Sequence, residues 1–378
     1  MKVYLDNAAT TALNEEVIDA MLPIMREKYG NPSSIHSYGR EVRSIVESAR
    51  KSVAKLLNVS PSEIFFTSCG TEANNMAIRC TVRDLKINHV ISSRIEHHAV
   101  THTVEEMENE GLIKLSYVDI DEQGYVNLEH LEELLQTNER SLVSLMHANN
   151  EIGTILPIKK VGDICKEYNA IFHSDTVQTM AHYVHDLSKL NVHFVNCSAH
   201  KFHGPKGIGF IYINHNVKIH PFIFGGSQER NMRGGTENVY GIVGLAKAME
   251  IAYRDLEADT KHIVGLKNYM MEQIKQAIPR ITYNGDPKNG LHTVLNVSFP
   301  PTEIAEMLLF NLDIKGIAVS GGSACSSGSN IGSHVLTGIH ADPNRPSVRF
   351  SFSKYNTKEE IDYTISVLKE LFPVKVNK

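Results

Sequence analysis

Ile171-Phe172-His173-Ser174-Asp175-Thr176-Val177-Gln178 and, further on, Asn196-Cys197-Ser198-Ala199-His200-Lys201-Phe202-His203-Gly204-Pro205 are the stretches on which this chain turns. Each polar cluster begins where a short apolar run ends, Ala170 to Phe172 in the first and Val192 to Asn196 in the second. In an open α/β sheet that boundary is the carboxyl edge of a strand, where ligands bind. A lysine there is a candidate catalytic amine: it forms Schiff bases with carbonyl compounds, including pyridoxal phosphate, whose ring nitrogen also needs a carboxylate partner. Lys201 and Asp175 are the residues in those positions. Taken singly, each reads better as a solvated loop lysine and a turn residue.

Outward from this stretch the pattern alternates. Ile64 to Thr67, Val90 to Ser92, Leu112 to Tyr117 and Leu142 to Met146 read as strands. Thr71 to Arg83, His98 to Glu110, Leu128 to Leu135 and Ile158 to Tyr168 read as the helices between them. Strands separated by helices are βαβ units, which predicts a mostly parallel sheet with helices on both faces. Upstream, Asn14 is an N-cap for a helix to about Tyr29, and Glu41 to Leu57 is a second helix, both by apolar period and by the Gly30-Asn31-Pro32-Ser33 break. Downstream, a helical-period segment runs from Asn238 to Ala277. A strand (Val294 to Phe299), a helix (Glu303 to Asn311), a strand (Val348 to Phe352) and a helix (Thr357 to Phe372) follow, making a small α+β unit.

A chain of 378 residues with formal net charge −5 favours two domains and disfavours a nucleic-acid or membrane surface as its main partner. The apolar runs are far too short to span a membrane, and Met1-Lys2-Val3 does not open a signal peptide, so a cytoplasmic location is expected. The five cysteines, Cys69, Cys80, Cys165, Cys197 and Cys325, show no Cys-x-x-Cys spacing, which argues for free thiols rather than a disulfide framework or thiolate zinc site.

Ser-x-His-Lys followed by Gly-Pro-Lys-Gly (Ser198 to Gly207), downstream of His-x-Asp-x-x-Gln (His173 to Gln178), resembles the class V aminotransferase family. More narrowly, the chain resembles the cysteine desulfurases of the NifS/IscS type. Further matching stretches are Tyr4 to Thr11, Asn31 to Ser34, Thr67 to Asn75, Glu96-His97, Asn149 to Gly153, Arg233 to Asn238, Ser323-Ala324-Cys325 and Arg349-Phe350-Ser351. The resemblance implies fold type I of the pyridoxal-phosphate enzymes, an α/β architecture. Its large domain, here 14–256, carries a mostly parallel mixed sheet flanked by helices, and a small α+β domain is formed by 1–13 with 257–378.

It also implies roles. Gly70 and Thr71, at the start of a helix, with Ser198 and His200, would hold the cofactor phosphate. Lys201 would carry the cofactor and act as general base, Asp175 would pair with its ring nitrogen and Gln178 with its phenolic oxygen. His97 would stack on the ring and handle protons near the substrate; because nothing basic adjoins Cys325 in sequence, His97 is also the expected acceptor of the thiol proton. Asn150 and Arg349 would hold the substrate carboxylate. Cys325, in the run Gly321 to Ser329, would take sulfur from L-cysteine as a persulfide, leaving L-alanine. Thr236 would reach the phosphate of the partner subunit in a homodimer. The sulfur would pass to an acceptor such as an iron–sulfur scaffold or a tRNA-thiolation enzyme.

The chain departs from the family pattern in four places. Cys69 stands where Gly is usual, Asn330-Ile331-Gly332 replaces Leu-Glu-Pro, the segment before Arg349 is short and holds Pro343 and Pro346, and the C-terminal tail is brief. Rival readings are a selenocysteine lyase or class V aminotransferase, a metal protein using Cys197, His200 and His203 or His97, His98 and His102, and a non-catalytic partner-binding descendant. The missing His-Glu-x-x-His motif leaves no expected metal.

Overall fold

The computed structural model describes residues 1–136, 140–321 and 332–373. Its centre is a seven-stranded sheet in the order Ile64–Thr67, Gly209–Ile213, Phe194–Ser198, Ile171–Ser174, Leu142–Ser144, His89–Ser92, Lys114–Tyr117. All neighbours are parallel except Gly209–Ile213, which runs against both of its own. The inner strands are buried along their whole length because helices cover both faces, while the edge strand Lys114–Tyr117 is partly exposed. Consecutive residues therefore serve opposite cores. Phe66, Ile91, Val143, Phe172 and Phe210 enter the core shared with the helices Ser37–Leu56, Ile158–Glu167 and Val239–Arg254. Phe65, Val90, Leu142, Ile171 and Ile211 enter the core shared with Gly70–Leu85 and His98–Asn109.

The reversed strand Gly209–Ile213 is absent from the sequence expectation. It fits tightly: a Cβ at Gly209 would collide with the Cys197 carbonyl. The Asn238 to Ala277 segment is two helices, Val239–Arg254 and Leu256–Ala277, because the chain turns at Asp255 (φ −99°, ψ 3°). The helix expected over Glu303 to Asn311 lies instead at Leu308–Ile314. Leu308 and Leu312, one turn apart and fully buried, set its register.

A second, separate apolar core lies under the antiparallel sheet Ser347–Ser351, Val294–Ser298, Thr282–Asn284. Val3 and Leu5 belong to it, and Val3–Tyr4 pairs in parallel with Ile317–Ala318. The N-terminal strap then crosses to the main sheet, where Thr11 N donates to His200 O at 2.9 Å and Asn14 N to His203 O at 3.1 Å. Asn14 caps the first helix, Glu15–Glu27, by accepting from Glu16 N.

Lys267, on the helix Leu256–Ala277, is buried and donates to the Leu291 carbonyl at 2.9 Å. Burial pushes its ammonium down to about 8, and Asp286 opposes this only in part. An unfolded lysine titrates near ~10.4, so between these values the unfolded chain binds the extra proton and stability rises with pH. The expected gain across pH 8 to 10.4 is on the order of 3 kcal/mol. Lys267→Met should flatten that rise in thermal melts taken at successive pH values.

Candidate active site

Gly70, Thr71, His97, Asn150, Asp175, Gln178, Ser198, His200, Lys201 and Arg349 all line one cavity of about 230 Å³. It opens at the carboxyl ends of the parallel strands Ile171–Ser174 and Leu142–Ser144. Thr236 lies elsewhere, in a cleft of about 120 Å³ with Arg233 and Gly235. Cys325 falls outside the described residues.

One end of the cavity is the turn from Ile64–Thr67 into Gly70–Leu85. Cys69 occupies the N-cap and makes no side-chain cap bond of its own, which leaves the first N–H groups of the helix to other partners. Gly70 N donates to Ser198 Oγ at 2.7 Å. A Cβ at Gly70 would meet Val177 Cγ2 at 2.6 Å, so only glycine keeps this hollow open. Glu72, the acid of this first turn, is drawn away: burial raises it, but it accepts from Ser68 and from Arg233 Nε at 2.9 Å, and these bonds hold it below the usual carboxylate range. His200 stands beside Thr10 Oγ1 at 3.1 Å, and burial with Lys201 and Lys206 nearby pushes it down to about 4.

Asp175 follows the strand Ile171–Ser174 and is fixed through both oxygens. Oδ2 accepts from Asn74 Nδ2 at 2.7 Å and Oδ1 from Val177 N at 3.0 Å. Asn74 in turn accepts from Asn196 Nδ2 at 2.6 Å, and Asn196 Oδ1 takes Thr176 N at 2.9 Å. Asn74 and Asn196 had no role in the sequence reading. Their only signal was position, one turn into a helix and two residues before Ser198. Lys201 Nζ reaches the strap, donating to Ala8 O at 2.6 Å and Ala9 O at 2.8 Å. Gln178 Nε2 donates to the same Ala8 carbonyl at 3.1 Å.

His97 serves the cavity and a helix end at once. As N-cap of His98–Asn109 it accepts Ala99 N at Nδ1, 3.1 Å away. Burial lowers its pKa, Asp175 opposing, so the ring is neutral and carries its proton on Nε2. It is a donor into the cavity. Taking a thiol proton would cost the helix its cap, which weighs against His97 as the base for that proton.

Arg349 is 1% exposed, on the strand Ser347–Ser351. Nη1 donates to Asn150 O and Nη2 to Asp6 Oδ1, both at 2.8 Å, while Nε is buried with no partner among the described residues. The described residues that flank Cys325 in sequence bond to cavity residues or to their chain neighbours. Before it, Ser320 pairs with Arg349 through backbone bonds. After it, Ser333 Oγ donates to Glu151 and His334 Nε2 to Glu96 O at 2.8 Å, with the His334 ring 4.5 Å from His98.

These groups fit pyridoxal phosphate. The Gly70 hollow suits a phosphate, Asp175 is a fixed carboxylate for the ring nitrogen, Lys201 is an amine on the cavity wall, and the orphaned Arg349 Nε suits a carboxylate. The proposed metal clusters do not form around a point: among the described residues no group of three or more His, Cys, Asp or Glu side chains is placed to hold a metal ion.

The family model for aminotransferase class-V matches residues 3–364. The chain is 45% identical over 374 residues to a protein named cysteine desulfurase IscS from Dictyoglomus turgidum, covering 98% of this chain and 94% of that one. A solved NifS-like protein superposes with TM-score 0.91 at 41% identity, covering 98% and 99% of the two chains. A structure of SspA in complex with cysteine superposes with TM-score 0.84 at 30% identity, covering 94% and 100%.

Proposed function

The chain belongs to the aminotransferase class-V family and is a pyridoxal-phosphate-dependent cysteine desulfurase, and on that premise we propose how its own residues divide the work. The observation that carries the assignment is the meeting of Lys201, Asp175 and Arg349 in one cavity. When bound, pyridoxal phosphate takes the amino-acid nitrogen at its aldehyde and draws electrons from the bonds at Cα into its ring. The Gly70 to Thr71 turn, Ser198 and His200 hold its phosphate, and Gln178 its phenolic oxygen.

Arg349 and Asn150 hold the carboxylate of L-cysteine and so fix which bond at Cα lies over the ring. Lys201 Nζ, close to Ala8 and Ala9, moves the Cα proton. Asp175 keeps a positive charge on the ring nitrogen, and its amide network prevents it from turning away. His97 donates from Nε2 toward the reacting atoms. The Cys325 thiolate attacks the substrate sulfur: an S–S bond forms, the Cβ–S bond breaks, and its electron pair stays on Cβ, which takes up a proton. The products are L-alanine and a persulfide on Cys325.

Asp175→Asn keeps the shape and the Asn74 contact but loses the charge. Turnover should fall about 10²-fold while cofactor is still bound, measured as alanine formed per unit time. A near-parental rate would contradict the role.

We further propose domains of 14–256 and of 1–13 with 257–378, and a homodimer in which Thr236 serves the partner subunit's phosphate. Sulfur goes to an acceptor protein in iron–sulfur assembly or tRNA thiolation, in the cytoplasm. The separate apolar cores support the domain division. Among the described residues no helix is long and apolar enough to cross a membrane.

A further inference from the structure

Arg349 already has an anion beside it before any substrate arrives. Asp6 Oδ1 lies 2.8 Å from Nη2, and the Arg349 side chain is 1% exposed against 19% for Asp6. Asp6 cannot drift away, because its neighbours are pinned: Leu5 N donates to Ala318 O at 2.9 Å, and Asn7 Nδ2 to Ser351 O at 2.9 Å. Its own carbonyl accepts Ala9 N at 3.0 Å, in the turn that brings Ala8 and Ala9 to Lys201. The nearby titratable groups are Tyr4, raised by burial and by Asp6 itself, and Arg349.

A buried guanidinium without a counter-charge is costly, and Asp6 supplies that charge to Arg349 from within the chain. A substrate carboxylate that joins the same guanidinium must then sit near a second anion. Like charges close together in a poorly solvated site repel strongly. The contact is one hydrogen bond to one nitrogen, and the partly exposed Asp6 keeps access to water. Nε therefore remains for the incoming carboxylate.

We propose that Asp6 is the resident counter-anion of the substrate clamp, a positioning residue that aims Arg349 and weakens its hold on amino-acid carboxylates so that alanine leaves. This rests on Arg349 being the clamp. L-Cysteine and L-alanine bear the same carboxylate, so one charge tunes substrate capture and product release together.

The test is calorimetric binding of L-alanine to the holoenzyme, alongside KM for L-cysteine. Asp6→Asn keeps an oxygen for Nη2 and removes the charge. Its Kd for L-alanine and its KM should both fall about tenfold, with no rise in kcat. Asp6→Glu keeps the charge and should stay within about threefold of the parent Kd. Asp6→Ser gives the same reading as the asparagine variant where that variant is too unstable. Unchanged or weaker alanine binding in the neutral variants, or equal tightening in Asp6→Glu, would overturn the inference. Arg349→Gln separates the two claims. If it leaves alanine binding intact, the clamp assignment itself fails. If it weakens binding and Asp6→Asn does not tighten it, only the role of Asp6 fails.

Discussion

Lys201→Ala should yield a folded protein with no measurable desulfurase turnover. The side chain ends within hydrogen-bond reach of two strap carbonyls, so it is held on the cavity wall rather than in bulk water. It is asked both to carry the cofactor and to move the Cα proton, and positioned proton transfer alone is worth about 10²–10⁴-fold. The loss should therefore be at least ~10³-fold. Borohydride fixation of the cofactor followed by peptide mapping should mark Lys201 in the parent. A mark on Lys206 would refute the assignment.

Cys325→Ser should separate binding from sulfur transfer. Arg349, Asn150 and Lys201 are untouched, so L-cysteine should still bind and perturb the cofactor spectrum, while sulfur release falls on the order of 10³-fold, since only a thiolate is a competent nucleophile. Three of the other thiols are poor substitutes. Burial pushes Cys80 up to about 11, Cys165 up to about 12 and Cys197 higher still. Cys69 is the one described thiol that lines the cavity. Full activity in Cys325→Ser would reduce the Gly321 to Ser329 run to a linker.

Much of this site was readable because it is local. The strand runs Ile64 to Thr67 and Ile171 to Phe172 are apolar on both faces, and each ends in residues that the carboxyl edge turns toward a ligand. What escaped reading depends on distance or direction. Gly209–Ile213 is a plain apolar run, and nothing in it encodes that it runs antiparallel without a crossover helix. Asn74 and Asn196 are 122 positions apart, and neither carries a motif of its own. Asp6 and Arg349 are separated by 343 positions, and their pairing follows only from the strap crossing the small sheet. The His97 tautomer is set by a backbone N–H two residues on, a matter of side-chain angle.

The central claim is that sulfur from L-cysteine lands on Cys325 while the carbon skeleton leaves as alanine. Its most direct test is a single turnover of holoenzyme with L-cysteine and no reductant, with alanine quantified and the cysteine-bearing peptides weighed by mass spectrometry. About one alanine per active site is expected, with the extra sulfur on the peptide containing Cys325. Extra sulfur on Cys69 or Cys197, or free sulfide with an unmodified Cys325, would contradict it.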